Sequence, residues 1–326
     1  MVEGWGKGFY PAMVRRILRR PVSDTPAMDW TVIAAPLASA GADEGEERAP
    51  AALLRAGAAA AARAAATVEL EIGVSSSLRD PDSGVIGVGD VRRATATLAG
   101  AVGAALDTGR CALVLGGDCA IVPGITAAAV ERLPDVALLF LDGHPDACDG
   151  QTSPTGEAAD MDLAVLTGLG PPALAPGDRP GAIVAPERIA LIGFRGDAGA
   201  AVTLPDGRRV TEVSLLHPGV HRMDAATLGD LGPEATVDRA LAAIRPDAGP
   251  VWLHLDVDVH DADAMPAVSY PETGGPGIAV ITAMLRRIAR TTTLAGAHVT
   301  CFNPVLDPDG SAAVTVVVLI RSFAGR

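Results

Sequence analysis

The chain has 326 residues, 49% of them hydrophobic and only 3% aromatic. That length and balance support a large core built from Ala, Val, Leu and Ile rather than from rings. The formal net charge of −13, with no long basic patch beyond the N-terminal segment, sets the chain against polyphosphates, so no nucleic-acid partner is expected.

Residues 1–28 differ from the rest of the chain. They hold Tyr10, Met13 and the basic run Arg15-Arg16 through Arg19-Arg20, without the apolar stretch of a secretory signal. They read as an N-terminal extension, disordered or loosely docked, upstream of one α/β domain over 29–326. Thr31–Leu37 is β-rich, and after a polar loop the Ala-, Leu- and Arg-rich segment Ala51–Ala66 predicts a helix. Val68–Ile72 is strand-like, Val91–Leu106 helical, Cys111–Leu115 a strand and Ile125–Arg132 a helix. Val136–Leu141 and Ile189–Ile192 read as strands, with a Pro- and Gly-rich loop at Gly168–Pro186 between them. Val202–Gly219 contains Asp206-Gly207, a hairpin signal, and suggests a small β-excursion. Ala235–Ile244 is helical, Val251–Val257 a strand and Ala279–Ala289 a helix. His298–Phe302 and the apolar run Ala312–Ile320 read as closing strands. Alternating strands and helices, several strands being continuous apolar runs, predict a mostly parallel sheet covered on both faces.

The four cysteines, Cys111, Cys119, Cys148 and Cys301, contain no CxxC pair. They are too few for a disulfide framework in a chain this long, which suits a reducing, cytoplasmic setting. No apolar run reaches the roughly 18–20 residues of a membrane helix, so no membrane partner is expected.

Three strand ends carry chemistry. Leu113–Leu115 runs into Gly116-Gly117-Asp118-Cys119, Leu138–Leu141 into Asp142-Gly143-His144-Pro145-Asp146, and Val251–Leu255 into Asp256-Val257-Asp258. Ligands of open parallel sheets bind beyond the carboxyl ends of the strands. Residues two apart on an extended chain share a face, so Asp142, His144 and Asp146 converge if the chain stays extended, as do Asp256 and Asp258. An Asp after a strand is common in loops and caps, and one such motif alone would be structural. Four carboxylates and an imidazole together need a counter-charge, and no Lys or Arg stands within these motifs. Two divalent cations would supply it. Oxygen-rich ligation with one imidazole suits Mn²⁺, and a pair about 3.5–4 Å apart could share Asp142 and Asp256.

The pattern resembles the arginase and agmatinase (ureohydrolase) superfamily, whose members show Gly-Gly-Asp-His, Asp-Ala-His-x-Asp and Asp-x-Asp-x-x-Asp-Pro. Weaker similarities lie at Glu44–Gly57, Ile192-Gly193-Phe194-Arg195 and Phe302-Asn303-Pro304, in the same order along the chain. The resemblance implies a three-layer α/β/α fold with a mostly parallel central sheet. It also implies two Mn²⁺ ions held by Cys119, Asp142, His144, Asp146, Asp256 and Asp258, and hydrolysis of a linear C–N bond in a guanidino or related small molecule by a metal-bridging hydroxide. Asp146 and His144 are the catalytic candidates. Assembly as a homo-oligomer, a trimer or hexamer, is implied as well.

Departures from the family pattern are as informative. Cys119 stands where the family has His; it is either a softer thiolate ligand, which admits Zn²⁺ or Fe²⁺, or a packed thiol. Cys301 falls where the family's late Glu grips the guanidinium, and a neutral thiol does not pair with a guanidinium as a carboxylate does. The stretch Thr155–Met161 lacks the proton-shuttling His of arginases and offers Glu157 and Asp160, which as loop residues need carry no chemistry. His254 shares the strand face of Asp256 and Asp258, as a partner of a ligand or as a core residue. His260 and Asp261 are expected to shape their loop, and Tyr270 and Glu272 to approach the substrate. The alternatives to a plain guanidino hydrolase are an enzyme for a modified guanidine, amide or imine, and a metal-poor binding protein on the same fold.

Overall fold

A computed structural model of the chain describes residues 29–41, 44–178, 181–196, 201–245 and 248–325. The extension expected over residues 1–28 lies outside them. Eight strands form one sheet. In chain order these are β1 (Trp30–Ala35), β2 (Ala64–Glu69), β3 (Cys111–Gly116), β4 (Ala137–Leu141) and β5 (Ile189–Ile192), and after the hairpin of β6 (Ala201–Thr203) and β7 (Arg209–Thr211) come β8 (His221–Met223), β9 (Val251–Asp256) and β10 (Leu294–Thr300). The order across the sheet is β2-β1-β3-β10-β9-β4-β5-β8, and every pairing in it is parallel. The hairpin stands apart as an antiparallel pair, the excursion that Asp206-Gly207 signals.

Two apolar layers sandwich the sheet. Alternate strand residues such as Val32, Leu113, Leu139 and Leu253 pack under α1 (Ala49–Arg55), α2 (Ala58–Ala61), α7 (Pro233–Ile244), α8 (Ile278–Thr291) and α9 (Ser311–Ala324). The intervening residues, including Ile33, Val114, Leu138 and Phe140, pack under α3 (Val88–Asp107), α4 (Val122–Arg132) and α5 (Asp162–Thr167). A strand buried on both faces has no polar positions to spare, which is why these strands read as unbroken apolar runs. The three-layer, mostly parallel architecture expected from the sequence is the one present.

Two local expectations give way. The Ala-rich segment does not continue as one helix. Gly57 takes a left-handed conformation after α1, Arg63 does so after α2, and Ala64 then pairs in parallel with Trp30. Sheet pairing overrides alanine's helix propensity here. The closing run at Ala312–Ile320 is a helix, α9, rather than a strand. Its buried residues, Ala312, Ala313, Val316, Val317, Leu319, Ile320, Phe323 and Ala324, follow helical spacing, with Val314 and Val318 exposed on the other side. The Asp307 carboxylate accepts the amides of Ala312 (3.0 Å) and Ala313 (2.9 Å), satisfying the open helix start. The run of valines hides this period. The short β8, α5 and α6 (Ala225–Leu231) have no clear sequence signal, being only three to seven residues long.

The order of the strands positions the site. The chain leaves β3, crosses to β4 and works outward, then returns to insert β9 and β10 between β3 and β4. The carboxyl ends of β3, β10, β9 and β4 therefore lie side by side, bringing all three acidic motifs to one edge of the sheet.

Candidate metal centre

Asp142 directly follows β4 and Asp256 ends β9, both buried. Past Asp142 the chain bends at Gly143 and His144, and Asp146 adopts a left-handed φ of 44°. The extended run assumed from spacing is thus replaced by a turn that splits the motif. One half faces Asp258. Its carboxylate contacts His144 Nδ1 at 2.9 Å and accepts the Gly143 amide at 3.1 Å. That approach needs glycine, since a Cβ at 143 would lie 2.7 Å from the Asp258 carbonyl oxygen. Asp142 accepts the His144 amide (2.7 Å) and Asp256 the Asp258 amide (2.8 Å). Donor atoms of Asp142, His144 and Asp258 lie within 4.8 Å of one another.

The other half faces β3. Gly116 and Gly117 lead from that strand to Asp118, and a Cβ at 117 would meet the Leu37 carbonyl oxygen at 1.9 Å. The glycine is therefore forced by the packed β1 loop. Asp118 accepts the amides of Ser39 and Ala120 and caps the turn that presents Cys119. The Cys119 thiol lies 2.9 Å from Asp256 Oδ2, 3.2 Å from Thr300 Oγ1 and 3.6 Å from Cys301 Sγ. Donor atoms of Cys119, Asp142, His254 and Asp256 form one group within 4.8 Å, those of Cys119, Asp146 and Asp162 a second, and those of Asp256, Asp258 and Cys301 a third. Cys301, the first residue after β10, also has a left-handed φ of 62° and ties its strand end to the glycine loop through its amide to the Gly117 carbonyl (2.7 Å). Strained non-glycine residues such as Asp146 and Cys301 gather where the surrounding structure enforces them.

The electrostatics of the two halves differ. Burial lowers the basicity of His144, but the carboxylates of Asp258, Asp142 and Glu272 together outweigh it and hold the imidazole well above its ordinary range. Burial works against Asp258 as well, yet His144 pulls it down to about 2. Asp256 is pushed well up by burial and then by the charges of Asp258 and Asp142. Asp146 is pushed well up by burial and then by Asp142. Burial, then contact with Cys301, raises the Cys119 thiol well above its usual value. Arg195, the nearby guanidinium, points at main-chain oxygens of Gly193, Asp258, Val259 and His260, and stands 3.8 Å from Glu272. The centre thus crowds buried carboxyls around one imidazole, a donor set that fits divalent cations bound through oxygen, nitrogen and one sulfur.

His254 resolves by donor logic. The Trp252 indole can only donate, and it reaches His298 Nδ1 at 2.9 Å, so His298 carries its proton on Nε2. That nitrogen lies 2.5 Å from His254 Nδ1, which must then accept. His254 keeps its proton on Nε2, 3.1 Å from Asp142 Oδ2, and donates to it. The residue therefore orients Asp142 instead of offering a lone pair, and burial, with His254 second, holds His298 well below its ordinary basicity.

Of the outer candidates, Tyr270 donates to Glu157 Oε1 at 2.8 Å. Burial, ahead of the lowering effect of that bond, raises Glu157 to about 7. Glu272 reaches within 3.8 Å of His144 Nε2. Asp160 accepts from Ser153 and Thr155 at 2.6 and 2.5 Å and organises its loop. His260 bonds the Val257 carbonyl at 2.8 Å, and Asp261 accepts the amides of Asp263 and Gly274, so both shape the loop as expected. Sequence reasoning missed Asp162, His298, Thr300 and Glu46. Glu46 is buried, and burial followed by the charge of Asp118 raises it to about 8. Only Glu46 had a signal, lying within the Glu44–Gly57 segment; the others sit in apolar surroundings without a motif.

A model of the Arginase family matches residues 28–325. The chain is 28% identical to the arginase of Bacillus caldovelox over 261 residues, covering 79% of this chain and 83% of that one. It is 29% identical to the arginase of Brevibacillus brevis over 238 residues, covering 72% and 76%. The solved structure of the B. caldovelox arginase superposes with a TM-score of 0.81 at 26% identity, covering 92% of this chain and 99% of that one. The fold is also that of the proclavaminate amidino hydrolase from Streptomyces clavuligerus, with a TM-score of 0.62 at 19% identity, covering 91% and 92%. No described helix is long and apolar enough to cross a membrane. With its parallel sheet, its three acidic motifs at adjoining strand ends and a family match that runs nearly its whole length, the chain belongs to the arginase family of C–N bond hydrolases.

Proposed function

We propose that the chain hydrolyses a linear C–N bond in a guanidino or related small molecule, using two divalent cations. The observation that carries this is the charge imbalance of the centre. Asp142, Asp146, Asp256 and Asp258 are all buried, and among the described residues their donor groups hold only two imidazoles, His144 and His254, the second of which donates to Asp142. One cation would sit among Cys119, Asp142, Asp146 and Asp256, the other among Asp142, His144, Asp256 and Asp258. Mn²⁺ suits the oxygen donors, while the Cys119 sulfur admits Zn²⁺ or Fe²⁺. Such ions, when bound, polarise an electrophilic carbon's substituents and lower the pKa of water.

The chain's own residues do the rest. Asp146, in the donor cluster on the β3 side, takes the proton released as water adds to the sp² carbon. It then returns that proton to the departing amine, so the C–N bond breaks with a neutral leaving group. His254 holds Asp142 in its orientation, and the Gly143 amide does the same for Asp258. Glu157, Tyr270 and Glu272 line the approach.

Substrate identity is a narrower question, and Cys301 favours a second reading. Its thiol contacts Cys119 at 3.6 Å where the family resemblance leads one to expect a carboxylate for a guanidinium. A modified guanidine, an amide or an imine-type compound fits such a neutral lining better. The deciding experiment measures metal content in protein purified without chelator, then product release from arginine, agmatine and a panel of amides and substituted guanidines. Two metals per chain with turnover of any panel member supports the proposal. Metal-free, inactive protein overturns it in favour of a binding protein. Urea release from arginine or agmatine would remove the second reading.

A further inference from the structure

Asp162 opens α5, sixteen positions beyond Asp146, and belongs to none of the three motifs. Its side chain is fully buried. Both of its carboxylate oxygens lack a hydrogen-bond partner; the amide of Leu163 influences it without meeting hydrogen-bond geometry. Among the described residues no other side chain has two carboxylate oxygens in that condition. Three nearby acids are engaged: Asp118 with two amides, Asp142 with an amide and His254, Asp258 with an amide and His144. A buried carboxyl without partners is costly and calls for an explanation. Its surroundings supply one, since an Asp162 oxygen, the Cys119 sulfur and an Asp146 oxygen lie within 4.8 Å of one another.

We propose that Asp162 is a direct metal ligand, completing with Cys119 and Asp146 the shell of the cation on the β3 side. The inference rests on the two-metal reading above and adds to it a donor outside the three motifs. It makes this half of the centre a site of one sulfur and two further anionic oxygens, unlike the imidazole-containing half. A capping role for Asp162 at the start of α5 is the competing account. It predicts that the carboxylate stabilises the protein with or without a cation.

The two accounts separate in one set of measurements on the full chain. Wild type, Asp162→Asn, Asp162→Ser and the loop control Asp160→Asn are titrated with Mn²⁺, Zn²⁺ and Co²⁺, and melted in chelator. The proposal expects two metals in wild type and in Asp160→Asn. In both Asp162 variants it expects one metal retained and the other weakened at least about tenfold, since even partners one step removed from a metal command that much. With Co²⁺, the sulfur-to-cobalt absorption should shift in both Asp162 variants and not in the control. In chelator, Asp162→Asn should melt no lower than wild type, because it removes a carboxyl that has no partner. Two metals bound with wild-type affinity by the Asp162 variants overturn the proposal. So does a chelated Asp162→Asn that melts lower than chelated wild type or does not fold. Absence of metal from wild type would instead sink the two-metal reading itself, an outcome the wild-type arm reports separately.

Discussion

The two halves of the centre make opposite use of the same residue type. On the β4–β9 side, Asp258 is paired with His144 and held at about 2. On the β3 side, burial pushes up Asp146, Asp162 and the Cys119 thiol, and no basic side chain joins their donor group. Motif spacing treats these carboxylates as equivalent. Their environments do not, because an ion pair offsets desolvation in one half and leaves it unrelieved in the other. The first half offsets its charges with its own side chains; in the second, the proposed cation would hold them.

The bridge between the halves should be the most sensitive position. Asp256 touches Cys119 and Thr300 with one oxygen and the Asp258 amide with the other. Asp256→Asn is expected to lower bound metal and cut turnover by at least roughly 10²–10³-fold, the scale of losing one preorganised electrostatic group. Asp263→Asn, outside the cluster, should do neither. Full metal and turnover in Asp256→Asn would end the idea that the two halves share this carboxylate.

Next in size is the contrast between variants at Cys119. If its sulfur is a ligand, Cys119→His keeps a donor, removes a negative charge and should raise Mn²⁺ affinity relative to Zn²⁺. Cys119→Ala should then weaken the β3-side metal at least about tenfold while His144 and Asp258 keep the other. If Cys119 only packs, Ala costs a modest amount of stability and the larger His is the damaging change. Two full metals in Cys119→Ala beside a destabilised Cys119→His would assign the thiol to the core.

How much of this is legible in the sequence differs by scale. The parallel sheet and the strand ends at Asp142 and Asp256 follow from apolar runs that end in acids, a signal local to the chain. The bend that sends Asp146 to the β3 side is not local. It depends on Gly143 packing against the Asp258 backbone and on a left-handed Asp146. Asp162 is illegible for a similar reason, since its meaning comes from Cys119 and Asp146, which the fold rather than the sequence brings near. The helix at Ser311–Ala324 reads as a strand because β-branched residues dominate its Val314–Ile320 stretch and the Asp307 cap lies several residues upstream.

A smaller effect is expected from the rim, where acids also sit in low-dielectric surroundings. Burial raises Glu46 from 4.5 to about 8. With the folded value above the unfolded one, the group costs nothing while both states are protonated. Its cost begins as pH rises past 4.5, where the unfolded chain ionises, and is complete above about 8. Chelated protein should lose on the order of a few kcal/mol across that window from this residue. Glu46→Gln should flatten the slope, measured by denaturant unfolding at several pH values. A slope unchanged by Glu46→Gln would show that other carboxyls carry it.

The smallest expected change tests whether the two halves differ in their imidazoles as well as in their acids. His144 offers a nitrogen to the centre, whereas the Trp252–His298–His254 chain fixes His254 as a donor to Asp142. Nitrogen-15 shifts of the metal-loaded protein should therefore report His254 protonated on Nε2 and His298 likewise. Trp252→Phe removes the one group in the chain that can only donate. His298 is then free to present either nitrogen, and His254 becomes a mixture of tautomers, of which only one keeps its hydrogen bond to Asp142. Metal affinity should fall less than about tenfold, because Trp252 acts at two removes from the ligand and outer partners nearer to a metal already account for roughly 10–100-fold. Packing loss alone would lower stability and leave the His254 tautomer as it was. If His254 in the loaded wild type instead carries its proton on Nδ1, the Nε2 lone pair points into the centre, His254 is itself a ligand, and the β3 half holds the imidazole that Cys119 displaced.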